Sequence, residues 1–75
     1  MSKRDDVLVS LGRSVRRFRE GRKYTQEKLA ERSNLHPTYI SDIERGVRNP
    51  GIKNVARIAK ALGVSTAELC QGVDV

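Results

Sequence analysis

The sequence holds few of the residues from which catalytic or metal sites are built: 75 residues contain one histidine, one cysteine and no tryptophan. The lone Cys70 cannot form an internal disulfide, so a reducing compartment is expected. There is no metal-ligand spacing, no paired acid–base or Ser/His/Asp set and no glycine-rich phosphate loop. We therefore expect no enzyme, and no metal, cofactor or small-molecule ligand.

Long apolar runs are also missing. No stretch could span a membrane, and the short apolar run near the N-terminus follows two aspartates and lacks a cleavage site, so no signal peptide is expected. Residues 1–75 are predicted to form one cytoplasmic domain. A core this small is only marginally stable without disulfides or metals, which favours dimerisation.

Positive charge is in excess: the formal net charge is +6 and the sequence pI about 10.1. Such a balance is typical of a nucleic-acid-binding domain. Charge that merely keeps the protein soluble is the alternative.

Apolar residues recur at spacings of three and four, which predicts an all-α chain of five helices with no sheet. The first helix ends at or near Gly21, and the fifth starts at about Ser65 with a capping box formed with Glu68. The others are predicted over about 25–33, 37–45 and 52–62, with residues 52, 55, 58, 59 and 62 as the apolar set of the fourth.

Residues 26–45 have the layout of a helix-turn-helix. Ala30 is small where the two helices must cross, and Asn34 tolerates the positive φ that the turn requires. Ile40 and Ile43, three apart, mark the inward face of the second helix of the motif. That helix is predicted to enter a DNA major groove.

The outward face of this recognition helix would meet base edges. Arg45 is the only side chain there able to make a bidentate contact to guanine, although it could instead reach a phosphate. Asp42 either accepts from a cytosine amino group or holds Arg45 in place. The predicted base-contacting residues are Pro37, Thr38, Ser41, Asp42 and Arg45.

Grip on the DNA backbone is a separate task. His36 is either the N-cap of the recognition helix or a phosphate contact. Tyr39 either covers the edge of the groove or packs as a half-buried aromatic. The arginines of the first helix form a solvated face or lie near the DNA. The predicted phosphate-contacting residues are Gln26, His36, Tyr39, Arg48, Asn49 and Lys53.

The segments VRRFRE, YTQEKLAERSNL, YISDIERG, RNP and NVARIAKALGVS together resemble the helix-turn-helix domain of the phage Cro and cI repressor type, the XRE family. The resemblance covers about residues 11–69 and implies a five-helix, lambda-repressor-like fold. It also implies a protein of bacterial or phage origin. A free-standing domain with TYISDIERGVRN is similar to the controller proteins of restriction–modification operons.

The resemblance also implies roles for particular residues. Gln26 would bond a phosphate and brace the recognition helix, and Arg19 and Glu44 would form a partly buried ion pair. The fifth helix would pair two protomers about a two-fold axis. Its candidate seam residues are Val64, Leu69 and Val73, whose spacing would serve an internal core equally well.

Two positions depart from the family pattern. The family usually has glycine where Lys23 stands, so the pattern does not decide at which residue the first helix ends. Pro37 stands where a polar or basic residue commonly reads a base, so one specific contact is expected to be absent or apolar.

The function expected is that of a homodimeric, sequence-specific regulator of transcription on a pseudo-palindromic operator, regulating its own synthesis. Activation would add RNA polymerase as a partner, although no patch for it is identified. One alternative is an antitoxin that binds a protein partner and represses its own operon. Another is a nucleoid-type binder without sequence preference.

Overall fold

The computed structural model describes residues 6–73 and consists, over that range, of five α-helices without strands. The prediction of an all-α chain is confirmed. The helices are α1 (Asp6–Gly21), α2 (Gln26–Ser33), α3 (Pro37–Glu44), α4 (Gly51–Leu62) and α5 (Thr66–Cys70). Within residues 6–73, no helix is both long and apolar enough to cross a bilayer.

Local sequence signals set most helix ends. The Thr25 side chain accepts from the backbone N–H of Lys28, and Ser65 and Glu68 form both bonds of the predicted capping box. Asn34 ends α2 with φ 60°, in the left-handed region, as the turn required. The helix-turn-helix therefore forms as predicted, because its caps and its turn residue are encoded within a few positions.

Lys23 stands where the resemblance implies glycine, and it adopts the backbone conformation that glycine favours. Helix α1 ends at Gly21, and Lys23 itself adopts the left-handed conformation, with φ 61°. A residue with a Cβ is strained there, by about 1–2 kcal/mol relative to ordinary backbone. The departure is thus tolerated as strain in the α1–α2 connection.

The core lies where all five helices meet. Leu29, Ile40, Ile43 and Ile58 are fully buried in it. Helix α1 crosses α3 at Gly12, where a Cβ would lie 2.4 Å from the carbonyl oxygen of Ile43. Glycine is required there because any side chain would push the two backbones apart, and sequence analysis had not singled it out.

Two apolar residues singled out by the sequence differ sharply in exposure. Leu69, a candidate seam residue, is 0% exposed and belongs to the core, so its side chain has no surface to offer a second protomer. Ile52, assigned to the apolar set of the fourth helix, is 70% exposed. It lies in the first turn of α4, and the buried residues of that helix begin only at Val55.

Candidate nucleic-acid interface

The N-terminal end of α3 is exposed and held by one side-chain cap. His36 Nδ1 accepts from the backbone N–H of Thr38 at 3.1 Å, and Pro37 occupies the first helical position, where no N–H is needed. The interpretation of His36 as the N-cap is confirmed. With Nδ1 used as an acceptor, the neutral ring carries its proton on Nε2, which leaves a donor for a phosphate.

The exposed face of α3 carries an ion pair between two residues that are about one helical turn apart. Arg45 donates from Nη2 to Asp42 Oδ1 at 2.6 Å, and the two side chains are 65% and 23% exposed. Of the two roles considered for Asp42, the structure shows the one that holds Arg45. Thr38 is exposed and Ser41 half-buried. Arg45 is the C-cap of α3, so the helix ends one residue earlier than predicted.

The C-terminal end of α3 is fixed by a junction of three helices. Glu44 accepts from Arg19 Nε at 2.6 Å and Nη2 at 3.1 Å, and from Gln26 Nε2 at 3.0 Å. The side chains of Arg19 and Glu44 are only 12% and 4% exposed. The predicted ion pair is thus confirmed, and Gln26 does brace α3.

The junction also ties in the strained connection before α2. Arg19 Nη1 donates to the carbonyl oxygen of Tyr24 at 2.8 Å. The hydrogen bond from the guanidinium to Glu44 raises the pKa of Arg19 above its ordinary value, so Arg19 stays charged whenever the protein is folded. A paired acid at this helix end is tolerated because Arg19 offsets its repulsion from the helix dipole.

Tyr39 connects α3 to the start of α4. Its hydroxyl donates to the carbonyl oxygen of Pro50 at 3.3 Å and accepts from Asn54 Nδ2 at 2.9 Å. The guanidinium of Arg48 lies 4.8 Å from the ring centroid, within the range of a cation–π contact. Tyr39 is therefore a half-buried aromatic that positions the α3–α4 loop, and its hydroxyl has partners inside the protein.

Sequence reasoning missed Asn54, because its partner is 15 residues away and no local pattern relates the two. By contrast, Asn49 behaves as its type suggests and accepts from the N–H of Gly51 at 3.1 Å. The start of α4 has no side-chain cap from Pro50, and the exposed Lys53 lies in its first turn. Beyond the Gly51 N–H, which bonds Asn49, the first-turn N–H groups beside this lysine suit an anion.

The fifth helix is tied to α1 by a buried hydrogen bond from the Ser14 hydroxyl to the carbonyl oxygen of Leu69. Val64, Cys70 and Val73 are half-buried at the edge of the core. Of the three candidate seam residues, Val64 and Val73 keep surface for a partner.

A recognition helix fixed at one end and polar on its outer face defines a helix-turn-helix DNA-binding domain. The family model described as "Helix-turn-helix" matches residues 15–69, and the chain belongs to that family. Control protein C.BamHI of Bacillus amyloliquefaciens is 46% identical over 66 residues, which cover 87% of this chain and 82% of that protein.

Solved structures of restriction–modification controller proteins are also similar. C.AhdI from Aeromonas hydrophila has a TM-score of 0.81 and 37% identity, covering 83% of this chain and 94% of that one. The C.Esp1396I tetramer with its natural 35 base-pair operator has a TM-score of 0.85 and 37% identity, covering 93% and 92%. The resemblance to controller proteins is confirmed.

Proposed function

We propose that this protein is a transcription regulator that binds double-stranded DNA sequence-specifically as a homodimer, recognises a pseudo-palindromic operator and regulates its own synthesis. Catalysis is no part of this role, and the cytoplasm is where it would act. The observation that carries the proposal is the presentation of Arg45. A buried junction fixes the helix that bears it, and Asp42 orients its guanidinium on the outer face.

Base reading is assigned to the outer face of α3. Arg45 offers the paired donors that match guanine O6 and N7, while Thr38 and Ser41 offer hydroxyls one turn apart. Asp42 supports Arg45 and can accept from a cytosine amino group through its remaining lone pairs. Pro37 contributes an apolar contact only, because proline has no side-chain donor.

Backbone contacts flank this face. Gln26 uses one hydrogen of its amide nitrogen on Glu44, which leaves the other for a phosphate. His36 Nε2 and the exposed Arg48 and Lys53 add donors, and Asn49 shapes the turn between them. Tyr39 acts indirectly, by holding Arg48 against its ring and Pro50 in place.

Dimerisation is assigned to the end of the chain around α5, with Val64 and Val73 at the seam. Two recognition helices about a two-fold axis would read half-sites about 34–36 Å apart. The solved structure of the C.Esp1396I relative is a tetramer in complex with its natural operator. An antitoxin role is not adopted, because the relatives include control proteins and an immunity repressor.

Selection from a random duplex pool at near-physiological salt tests the proposal. We expect an inverted repeat with half-site centres about 10–10.5 base pairs apart. Arg45→Ala should weaken binding by about 1–3 kcal/mol and relax the preference at one base pair per half-site. Lys28→Ala removes one exposed positive charge from the pair with Glu31 and is the matched control.

Each outcome separates the roles. An equal loss of affinity for all sequences in Arg45→Ala would make Arg45 a backbone contact. Retention of DNA without any enriched motif in the wild type would overturn sequence specificity and leave the electrostatic contribution alone. Activation through RNA polymerase would be tested separately, by transcription from the selected operator.

A further inference from the structure

A second basic surface lies away from the outer face of α3. An open cleft between the end of α2 and the C-terminal half of α4 is lined by Arg32, Ser33, Asn34, Arg57, Lys60 and Ala61. Three of these six residues are positively charged and exposed, and none is acidic. We refer to it as the α2–α4 cleft.

The charges of this cleft are not neutralised within residues 6–73. The salt bridges of that range join Arg16 to Glu20, Arg19 to Glu44, Lys28 to Glu31 and Arg45 to Asp42, so they leave out the cleft. Arg32 has a different contact, since its guanidinium lies 5.4 Å from the ring centroid of Tyr24. Arg57 and Lys60 are then the two cations most free to meet an external anion.

The arrangement along α4 extends this charge. Lys53, Arg57 and Lys60 are spaced by four and three residues, so they share one face of the helix, opposite the buried Val55 and Leu62. The stripe is about 10 Å long at 1.5 Å per residue. It begins at Lys53, beside the DNA contacts proposed above, and runs away from them.

The α2–α4 cleft is also continuous with the recognition face. Asn34 lines both this cleft and the groove that contains His36, Thr38 and Arg48. Arg57 lines both this cleft and the surface around Lys53 at the start of α4. A polyanion leaving the recognition face therefore meets positive charge, because Asp42, the acidic residue that lines the groove, is paired with Arg45.

We propose that the α2–α4 cleft is a second, sequence-independent surface for the DNA backbone, which binds phosphates of the duplex beyond the bases read by α3. The inference rests on the proposed function, because it needs α3 to be seated in the major groove. A regular polyanion fits the surface better than a small anion does, since the positive charges form a stripe rather than a closed pocket.

Distance and screening permit this contact. The far end of the stripe lies about one Debye length from Lys53, since that length is about 8–10 Å at physiological salt. A modest bend of the flanking duplex toward the protein would bring its phosphates into direct contact with Arg57 and Lys60. Bending that adds protein–backbone contacts is a general way to stabilise such complexes.

The test uses the double variant Arg57→Ala/Lys60→Ala and two duplexes with the same selected operator. One duplex ends at the operator, and the other extends about 15 base pairs further on each side (about one and a half helical turns). Dissociation constants are measured at salt concentrations from 50 to 200 mM. The wild type should bind the extended duplex more tightly and with a steeper salt dependence.

The double variant should lose that advantage. Each phosphate contact contributes about 0.9 to the slope of log affinity against log salt, so two contacts per protomer, which are four per dimer, make a difference of roughly 150-fold over this range. The base preference and the affinity for the short duplex should stay within about twofold of the wild type. Lys23→Ala/Lys28→Ala, at exposed positions to which no DNA contact is assigned, removes the same charge and should leave the advantage of the extended duplex intact.

Several results would overturn the inference. The wild type could bind the extended duplex no more tightly than the short one. The double variant could lose affinity equally on both duplexes. The control variant could lose as much of the extended-duplex advantage as the double variant does. An unchanged double variant would overturn it as well, and an acidic protein would then be the partner to test on the cleft. Failure of the proposed function is distinct, because it would appear as the absence of a selected motif in the wild type.

Discussion

The two ends of the recognition helix are held in opposite ways. At the C-terminal end, Glu44 is 4% exposed and accepts three hydrogen bonds from Arg19 and Gln26. At the N-terminal end, the exposed His36 provides one cap to Thr38. The strong constraint therefore lies away from the N-terminal residues, which we propose enter the groove and keep their donors and acceptors for bases.

This difference teaches what the buried ion pair contributes. Two charges lose hydration when they are buried, and their attraction often only offsets that loss, so such a pair is weak support for net stability. Here it joins α1, the start of α2 and the end of α3 in one geometry. We infer that its main effect is to position the recognition helix.

The largest loss of stability is expected from removing Glu44, which fixes the C-terminal end of α3. Glu44→Ala leaves Arg19 charged, buried and without its carboxylate, which should cost about 3–5 kcal/mol. A protein of 75 residues has only about 4–11 kcal/mol of stability at typical values per residue. Urea denaturation should therefore show a midpoint at a much lower urea concentration than that of the wild type.

Glu20→Ala is the matched control for this prediction. It breaks only the exposed pair with Arg16, whose side chains are 64% and 56% exposed for Arg16 and Glu20 respectively, and should change stability by less than about 0.5 kcal/mol. A loss below about 1 kcal/mol in Glu44→Ala would contradict a strongly fixed end.

The second largest loss of stability is expected at the crossing of α1 and α3, where Gly12 faces the C-terminal end of α3. Gly12→Ala would place Cβ 2.4 Å from the Ile43 carbonyl oxygen and 2.6 Å from that of Glu44. The backbones must separate, and overpacking of this kind costs about 1–3 kcal/mol or more. Thermal unfolding followed by circular dichroism would measure it.

Gly21→Ala provides the contrast, because a Cβ there meets nothing within 4 Å at the last residue of α1. It should be neutral or stabilising, by up to about 1 kcal/mol, since alanine favours helix over glycine. Equal behaviour of the two variants would mean that the crossing at Gly12 is not tight.

The exposed end should respond more weakly. His36→Ala removes the cap of α3 and should cost about 1 kcal/mol of stability. His36→Asn supplies another good cap but lacks the Nε2 donor, so it should restore stability without restoring affinity for DNA. If His36→Asn binds DNA as tightly as the wild type, His36 serves only as a cap.

The smallest expected change is a gain in stability, from relieving strain in the α1–α2 connection next to the Glu44 junction. Lys23→Gly removes the strain of a Cβ at φ 61° and should stabilise the protein by about 0.5–1 kcal/mol. Lys23→Ala removes the same charge but keeps the Cβ, and so it should give no such gain. A difference between the two midpoints of urea unfolding isolates the backbone effect; equal midpoints would contradict it.

Much of the fold was predictable because it is encoded locally. Thr25 and the Ser65–Glu68 box marked helix starts, and Asn34 marked the turn of the motif. The Arg19–Glu44 pair was predicted only through family resemblance, since the two residues are 25 positions apart. Its third partner, Gln26, was expected to brace α3, but the atoms involved were set by packing.

The sequence predicted which residues form the candidate site better than it predicted which atoms they contact. Periodicity placed Asp42 and Arg45 on one face, which is why their pairing could be considered beforehand. The hydroxyl of Tyr39 was assigned to either DNA or the protein, and only the positions of Pro50 and Asn54 decide between them. Leu69 could not be separated from Val64 and Val73, because spacing does not tell which apolar residues in and beside a short helix point inward.

The sequence by itself determined the helices, their caps, the turn between α2 and α3 and the polar outer face of α3. These depend on a period of 3.6 residues and on hydrogen bonds that span two to four positions. Only the tertiary structure decided that Gly12 meets α3, that Leu69 is core and that Arg32 joins Arg57 and Lys60 in one cleft. Such contacts join distant positions through packing, and no local pattern specifies which surfaces will meet.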